Sequence, residues 1–384
     1  MKNSNLGHLQ FYYRNTNKPN LPINIVPDFV EFEYGFIEDL QLIIQNRKET
    51  TLSYLDTIYK ESFNVGYLQE GHDLASKYGL DFIDYIVKSI NNSSPNANRI
   101  SEIGAGGCYI LRKLKELGYE VVAIDPSPIA HDKGKEFGIE IVPEFYPSSN
   151  FIPKSDVIIH YDVLEHIDNR SEFLKSNLNE LNDNGLVIFA VPDCTDNIKT
   201  GDISMFIHQH LNYFDQDSLS NLMESEGFEL IDICKSKYGG VLYCCARKSL
   251  NQKIIKKEGN KKLLNFQELS IKNISKVREF ASEALLEGNT LGCYIPLRSL
   301  AYLSTIGIKE NIRFFDDDKG IYNKYFDGFS IPIENREDLL NNPVTHLLIM
   351  SSAFGEKIKQ EIVEILPNIK ILTYNQVVEK NESI

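Results

Sequence analysis

RISEIGAGGCYILRKLKELGYEVVAID, residues 99–125, reads as strand, glycine turn, helix and strand within 27 residues. The pattern repeats outward. Apolar runs at Arg99–Gly104, Glu120–Asp125, Val157–Tyr161 and Leu186–Val191 alternate with helical patterns at Tyr109–Leu117, Ile129–Phe137, Arg170–Leu181 and Gln216–Glu226. Strands separated by helices predict a parallel sheet covered on both faces. Leu230–Lys235 and Val241–Arg247 are joined only by SKYGG, too short for a crossover helix, so they predict a closing antiparallel hairpin. The expected class is α/β, a Rossmann-like sheet of seven strands.

On the N-terminal side, Leu74–Ile90 has helical spacing and is ended by NNSSPNAN. Residues 1–70 mix aromatics with Asn and Pro, then show a helical pattern over Asp39–Lys60, and are expected to form an accessory segment. On the C-terminal side, a basic connector precedes a long helix to about Leu286 and four further apolar runs, TLGCYI, IRFFDD, HLLIMSS and KILTY. These predict a second, smaller α/β domain. The expected division is 1–70, 71–250 and 251–384.

The chain of 384 residues is 42% hydrophobic and 24% charged, as in ordinary globular proteins. No apolar run approaches the roughly 18 residues of a membrane helix, and the first residues lack the apolar core of a secretory signal, so a cytoplasmic protein is expected. A net charge of −14 spread along the chain opposes a nucleic-acid partner. The six cysteines form no CxxC pair, and Cys244 and Cys245 are adjacent, which suits neither a zinc knuckle nor a disulfide framework. The composition leaves the oligomeric state open, a homodimer included.

Glu102-Ile-Gly104-Ala105-Gly106 lies where the first strand turns into a helix, and glycines there let a ligand approach the backbone at a helix N-terminus. Asp125 ends the second strand 21 residues after Gly104, where a carboxylate can accept hydrogen bonds from two ribose hydroxyls; a strand-end turn residue is the alternative. A dinucleotide fingerprint would place glycine where Tyr109 stands. The motif therefore favours a nucleoside without a pyrophosphate, and opposes a nicotinamide-dependent oxidoreductase.

ExGxG, the acidic end of the second strand and His160-Tyr-Asp162-Val163-Leu-Glu165-His166 together resemble class I S-adenosylmethionine-dependent methyltransferases. By that likeness Gly104 and Gly106 hold the methionine portion of the cofactor, Asp125 the ribose and Asp162 the amino-acid end. Glu102, Ala105, Pro126 and Val163 complete the implied cofactor surface. Glu165 and His166 begin a helical turn, and serve either as catalytic groups or as a cap.

Phe206-Ile-His208-Gln209-His210-Leu-Asn-Tyr213-Phe214 falls between the fifth strand and the next helix, at the edge of the sheet where substrates meet α/β folds. A neutral imidazole can take a hydroxyl proton. Spacing alone does not say whether His208 or His210 faces substrate, and no third and fourth ligand marks a metal site, so none is expected. The run is similar to the EHxxYF signature of nucleotide-sugar methyltransferases, including deoxysugar C-methyltransferases. His210 matches the signature histidine; Gln209 replaces its glutamate and Ile207 an upstream tyrosine. His210 is thus the expected base, with His208, Gln209 and Tyr213 the other catalytic candidates.

Gly292-Cys-Tyr294, PLRSL and Phe315-Asp-Asp-Asp-Lys319-Gly resemble the C-terminal domain of the same enzymes, which implies that Tyr294, Arg298 and Lys319 contact a nucleotide-linked sugar. Their N-terminal zinc module has no counterpart, since no cysteine precedes Cys108. Losing the glutamate weakens carbon deprotonation, whereas one imidazole suffices for a hydroxyl. The expectation is O-methylation of a nucleotide-linked sugar. Its rivals are C-methylation of a keto-deoxysugar and a non-catalytic nucleotide-binding scaffold.

Overall fold

A computed structural model describes residues 4–12, 14–19, 26–60, 73–148, 154–249, 259–286, 288–351 and 354–379. The expected boundaries near residues 70 and 250 lie outside these residues.

The centre is a seven-stranded sheet in the order Phe228–Lys235, Val241–Lys248, Leu181–Pro192, Ser155–Tyr161, Arg99–Ile103, Glu120–Ile124, Glu140–Val142. Neighbours from Leu181–Pro192 to Glu140–Val142 pair parallel, while Val241–Lys248 pairs antiparallel with both of its neighbours. The strand Glu140–Val142 has too few apolar residues to announce itself in the sequence. It is held by backbone pairing to Glu120–Ile124.

Both faces of this sheet are covered, and its strands show why their sequences run nearly continuously apolar. Ile158, Val187, Phe189 and Cys244 pack on one side with Phe173, Leu174, Leu219 and Leu222 of two helices. Val157, Ile159, Ile188 and Cys245 pack on the other with Phe82, Ile86, Ile110 and Leu114. Adjacent Cys244 and Cys245 therefore face opposite layers, and both are reduced and buried. His160 is one more core residue. It stacks on Phe189 with ring centroids 4.5 Å apart, and burial lowers its pKa to about 3.

The N-terminal segment folds differently from its helical reading. Leu42–Gln45 is a strand, and within Asp39–Lys60 only Glu49–Lys60 is α-helical, preceded by a short 3-10 turn at Glu38–Leu40. The apolar run Leu-Ile-Ile, two of its three residues β-branched, suits a pleated position. Ser4–Gln10, Phe29–Ile37 and Leu42–Gln45 form an antiparallel sheet whose fourth strand, Asn212–Tyr213, comes from the histidine-bearing loop. That pairing fixes one end of the loop.

Five parallel strands form the C-terminal sheet, in the order Ile333–Glu334, Ile312–Phe315, Leu291–Tyr294, His346–Ile349, Lys370–Thr373. One continuous core joins Leu291 and Cys293 of this sheet to Phe32 and Phe36 of the N-terminal sheet, and to Ile203, Met205 and Phe206 of the central fold. Gly201, at φ 73°, lets the chain approach the helix Lys261–Ala284; a Cβ there would lie 2.4 Å from the Cβ of Leu269. A buried polar cluster crosses the same seam. Asp202 accepts from Ser204 and from the Tyr302 hydroxyl at 3.1 Å, Tyr302 meets Tyr374 at 2.8 Å, and Asn273 donates to the Tyr374 oxygen at 3.1 Å.

Replacing Tyr302 by Phe would strip that cluster of its central hydroxyl and leave buried partners unsatisfied. A loss of about 1–3 kcal/mol is expected, read as a lower denaturant midpoint. An unchanged midpoint would show that the seam does not depend on this cluster.

Candidate active site

In chain order the parallel strands of the central sheet are arranged 3-2-1-4-5, so the order reverses between Arg99–Ile103 and Ser155–Tyr161. A crevice outside the carboxyl ends of strands at such a reversal is where α/β folds take ligands. The loops after these two strands meet there. Gly104 has φ 74°, and a Cβ on it would lie 2.7 Å from Cγ2 of Val163. Only glycine permits both that backbone and that approach.

The expected cofactor residues converge on this crevice and on the end of the adjacent strand Glu120–Ile124. Asp125 is buried, its Oδ2 accepting from the Gly106 N–H at 2.8 Å and its Oδ1 from the Ser127 N–H at 2.7 Å. Of the two alternatives for Asp125, the structure displays the turn role, the carboxylate holding the turn while sitting at the strand end. Ala105 is buried beside it and Pro126 is exposed on the rim. Glu102 lies beneath the glycine turn, where burial and nearby Asp125 push its pKa well up and Oε2 has no partner among the described residues. Asp162 is held at φ 54°, a left-handed conformation uncommon for a residue with a side chain, and burial pushes its pKa up to about 7.

Sulfonium and ammonium groups are what such a lining lacks. Glu102, Asp125, Asp162 and Glu165 crowd carboxyls around one crevice, with an orphaned oxygen on Glu102 and two on Glu165. Buried carboxyls without partners are costly, so the residues present fit a cationic nucleoside ligand.

Beside this crevice the loop after Leu181–Pro192 brings in the histidines, and the fold separates the pair. His208 is fully buried against Phe11 and Phe32, its Nε2 3.1 Å from the carbonyl of Val30. It pins the loop to the N-terminal sheet and does not face the crevice. His210 is half-buried and its ring makes no hydrogen bond among the described residues. Burial, then His166 and Arg298, drive its pKa well below the ordinary value, so its imidazole is neutral.

The other two catalytic candidates support the loop. Gln209 Nε2 donates to the carbonyl of Tyr12 at 2.9 Å. Tyr213 is buried, and its hydroxyl donates to the carbonyls of His210 at 2.8 Å and Ile207 at 3.1 Å. Both side chains are used up in fixing the backbone around His210. Asn212 adds a clamp, donating to the carbonyls of Leu164 and Ile167, while the Leu211 N–H donates to that of Glu165.

Glu165 and His166, which the sequence left between capping and chemistry, stand at His210. The two rings are edge to face with centroids 5.0 Å apart, and His166 Nε2 is 3.8 Å from Glu165 Oε1. No spacing rule links residue 165 or 166 to residue 210. Their meeting follows from the adjacency of the strands that precede them.

The three expected sugar contacts do not come together. Arg298 is exposed in the first turn of Pro296–Ile306, within electrostatic range of His210 and Asp202. Tyr294 packs with Phe315, Leu339 and Leu347 on the opposite sheet face, its hydroxyl bonded to Asp317 and Arg336. Alternation along the strand puts Cys293 toward Arg298's helix and Tyr294 away from it. Lys319 is exposed beyond the end of Ile312–Phe315.

Comparison with known proteins matches residues 72–233 to a family described as a methyltransferase domain. The C-methyltransferase NovU of Streptomyces niveus is 23% identical over 296 residues, 70% of each chain. The mitochondrial ubiquinone biosynthesis O-methyltransferase of Schizosaccharomyces pombe is 24% identical over 173 residues, 40% of this chain and 62% of that protein. A Burkholderia thailandensis 1,6-didemethyltoxoflavin-N1-methyltransferase, solved with S-adenosylhomocysteine, aligns with TM-score 0.42 at 17% identity, over 56% of this chain and 99% of that one. Residues 72–233 thus match a methyltransferase domain, which supports an enzyme that transfers methyl groups. Among the described residues no helix is long and apolar enough to cross a membrane.

Proposed function

We propose that this enzyme methylates a hydroxyl of a nucleotide-linked sugar, with His210 as the base. The observation that carries the reading is the state of His210: a neutral, half-buried imidazole without a hydrogen-bond partner among the described residues, in a loop clamped by Tyr213 and Asn212, beside Glu165. S-adenosylmethionine supplies an electrophilic methyl group when bound. The glycine turn, Asp125 and Asp162 are the residues proposed to hold it. His210 takes the acceptor's proton at a ring nitrogen, and the clamped loop keeps that nitrogen aligned, so the protein contributes mainly by positioning. Arg298, exposed at the rim, offers a planar fork suited to a diphosphate.

A second reading is methylation at carbon. NovU is a C-methyltransferase, and Glu165 brings to His210 a carboxyl that Gln209 does not provide. Incubation with methyl-labelled cofactor and a panel of nucleoside-diphosphate sugars and free sugars separates the readings. An ether methyl on nucleotide-linked sugars alone supports ours, and a carbon-bound methyl supports the second. Bound cofactor without transfer to any acceptor would leave a non-catalytic scaffold.

Cofactor binding should depend on pH through Asp162. Its pKa is raised to about 7 in the free protein, so it is largely protonated at pH 6 and ionised at pH 8. Pairing with an ammonium group favours the ionised form, so binding below about pH 7 releases a proton, and affinity falls by up to about tenfold per unit as pH drops. Calorimetric titration at pH 6, 7 and 8 checks this. A flat affinity, or the same slope in Asp162→Asn, would remove Asp162 from the cofactor.

A further inference from the structure

Glu165 is 1% exposed, and neither of its carboxyl oxygens has a hydrogen-bond partner among the described residues. Such a group is ordinarily paired or bound to a metal. Ligand atoms of Glu165, His166 and His210 all lie within 4.8 Å of one another. His166 Nδ1 is 2.8 Å from the carbonyl of Gln209. A carbonyl can only accept, so Nδ1 carries the hydrogen and Nε2, on the Glu165 side, carries the lone pair. This is the outer hydrogen bond that orients metal-binding histidines.

We propose that Glu165, His166 and His210 form a binding site for one first-row divalent transition cation, of the Zn²⁺, Co²⁺ or Fe²⁺ class. Two imidazoles and one carboxylate make the donor set that these ions share, and Mg²⁺ and Ca²⁺ prefer oxygen alone. Bonds of about 2.0–2.2 Å require the three side chains to draw together from their present spacing by small rotations. His166 and His210 are half-buried, so further coordination positions open toward the crevice. The site was not legible in the sequence, because His210 lies 44–45 residues from the adjacent pair Glu165 and His166, on a separate loop.

The consequence rests on the reading above. Cation and acceptor proton compete for the same His210 nitrogen, so a bound transition metal inhibits methyl transfer to a hydroxyl. Binding itself does not rest on that reading, and it can be tested without any acceptor.

The test is titration of the metal-stripped full chain with Co²⁺, followed by visible absorption and equilibrium dialysis. The expected result is one equivalent bound with a ligand-field spectrum, displaced by Zn²⁺ and not by Mg²⁺. Glu165→Gln and His210→Ala should each lower affinity at least about tenfold, and His131→Ala, elsewhere on the chain, should leave it unchanged. Circular dichroism and thermal melting curves would verify that each variant is folded. No Co²⁺ uptake by the folded wild type, or equal uptake by Glu165→Gln and wild type, would overturn the site. Methyl transfer measured in chelator would still stand or fall separately.

Discussion

His210→Ala should lose about 10²- to 10⁴-fold in turnover, the usual contribution of a positioned acid or base, while retaining cofactor affinity within a few-fold. Among the described residues the side chain makes no hydrogen bond whose loss would unfold its loop. The loop is held by backbone and neighbouring groups: Tyr213 to the His210 carbonyl, Asn212 to Leu164 and Ile167, and the pairing of Asn212–Tyr213 with Leu42–Gln45. Truncation therefore removes an imidazole and little else. Single-turnover rates with saturating cofactor give the measurement. His208→Ala sets the contrast, because it opens a cavity against Phe11 and Phe32 and removes the tie to Val30. It should lower stability by about 1–3 kcal/mol, with any loss of turnover following from that. An active His210→Ala enzyme would dismiss His210 as the base.

Asp125→Ala should weaken S-adenosylmethionine binding by about 10²-fold. Two charge-assisted hydrogen bonds to ribose are proposed to be lost, each worth about 1.5–3 kcal/mol in isolation, and tenfold corresponds to about 1.4 kcal/mol. The variant also orphans the Gly106 and Ser127 N–H groups that shape the turn, so part of the loss comes from a looser loop. Asp125→Asn separates the two effects. Its amide oxygen can still accept from the backbone without the charge, and an intermediate loss of about tenfold is expected. Calorimetry on both variants, with melting curves in the absence of cofactor, provides the comparison. Unchanged affinity in a folded Asp125→Ala protein would confine Asp125 to the turn.

The central sheet was legible because its signals are local. The inner strands, such as Ser155–Tyr161 and Leu181–Pro192, are apolar runs buried on both faces, and the helices are periodic runs, as in Tyr109–Glu116 with Ile110, Leu111 and Leu114 inward. The convergence of Gly104, Asp125 and Asp162 on one crevice was legible for a related reason: each sits directly after a strand, and parallel order carries strand ends to one edge. The strand Leu42–Gln45 was read as helix because four residues cannot establish a period, and one of its two partners, Asn212–Tyr213, lies some 170 residues away. The side-chain cluster at His210 was hidden for the same reason. Nothing in the sequence couples Glu165 and His166 to a loop more than forty residues on. Tyr294 shows the reverse error, since a motif position put it on substrate whereas strand alternation turns it to the far face of its sheet.

A cofactor crevice at the strand-order reversal is proposed to open onto His210. A crystal structure of the full chain with S-adenosylhomocysteine tests it most directly. The predicted complex has the ribose hydroxyls on Asp125, the amino-acid end at Asp162 and the sulfur turned toward His210. A ligand bound elsewhere, or a sulfur walled off from His210 by protein, would contradict it.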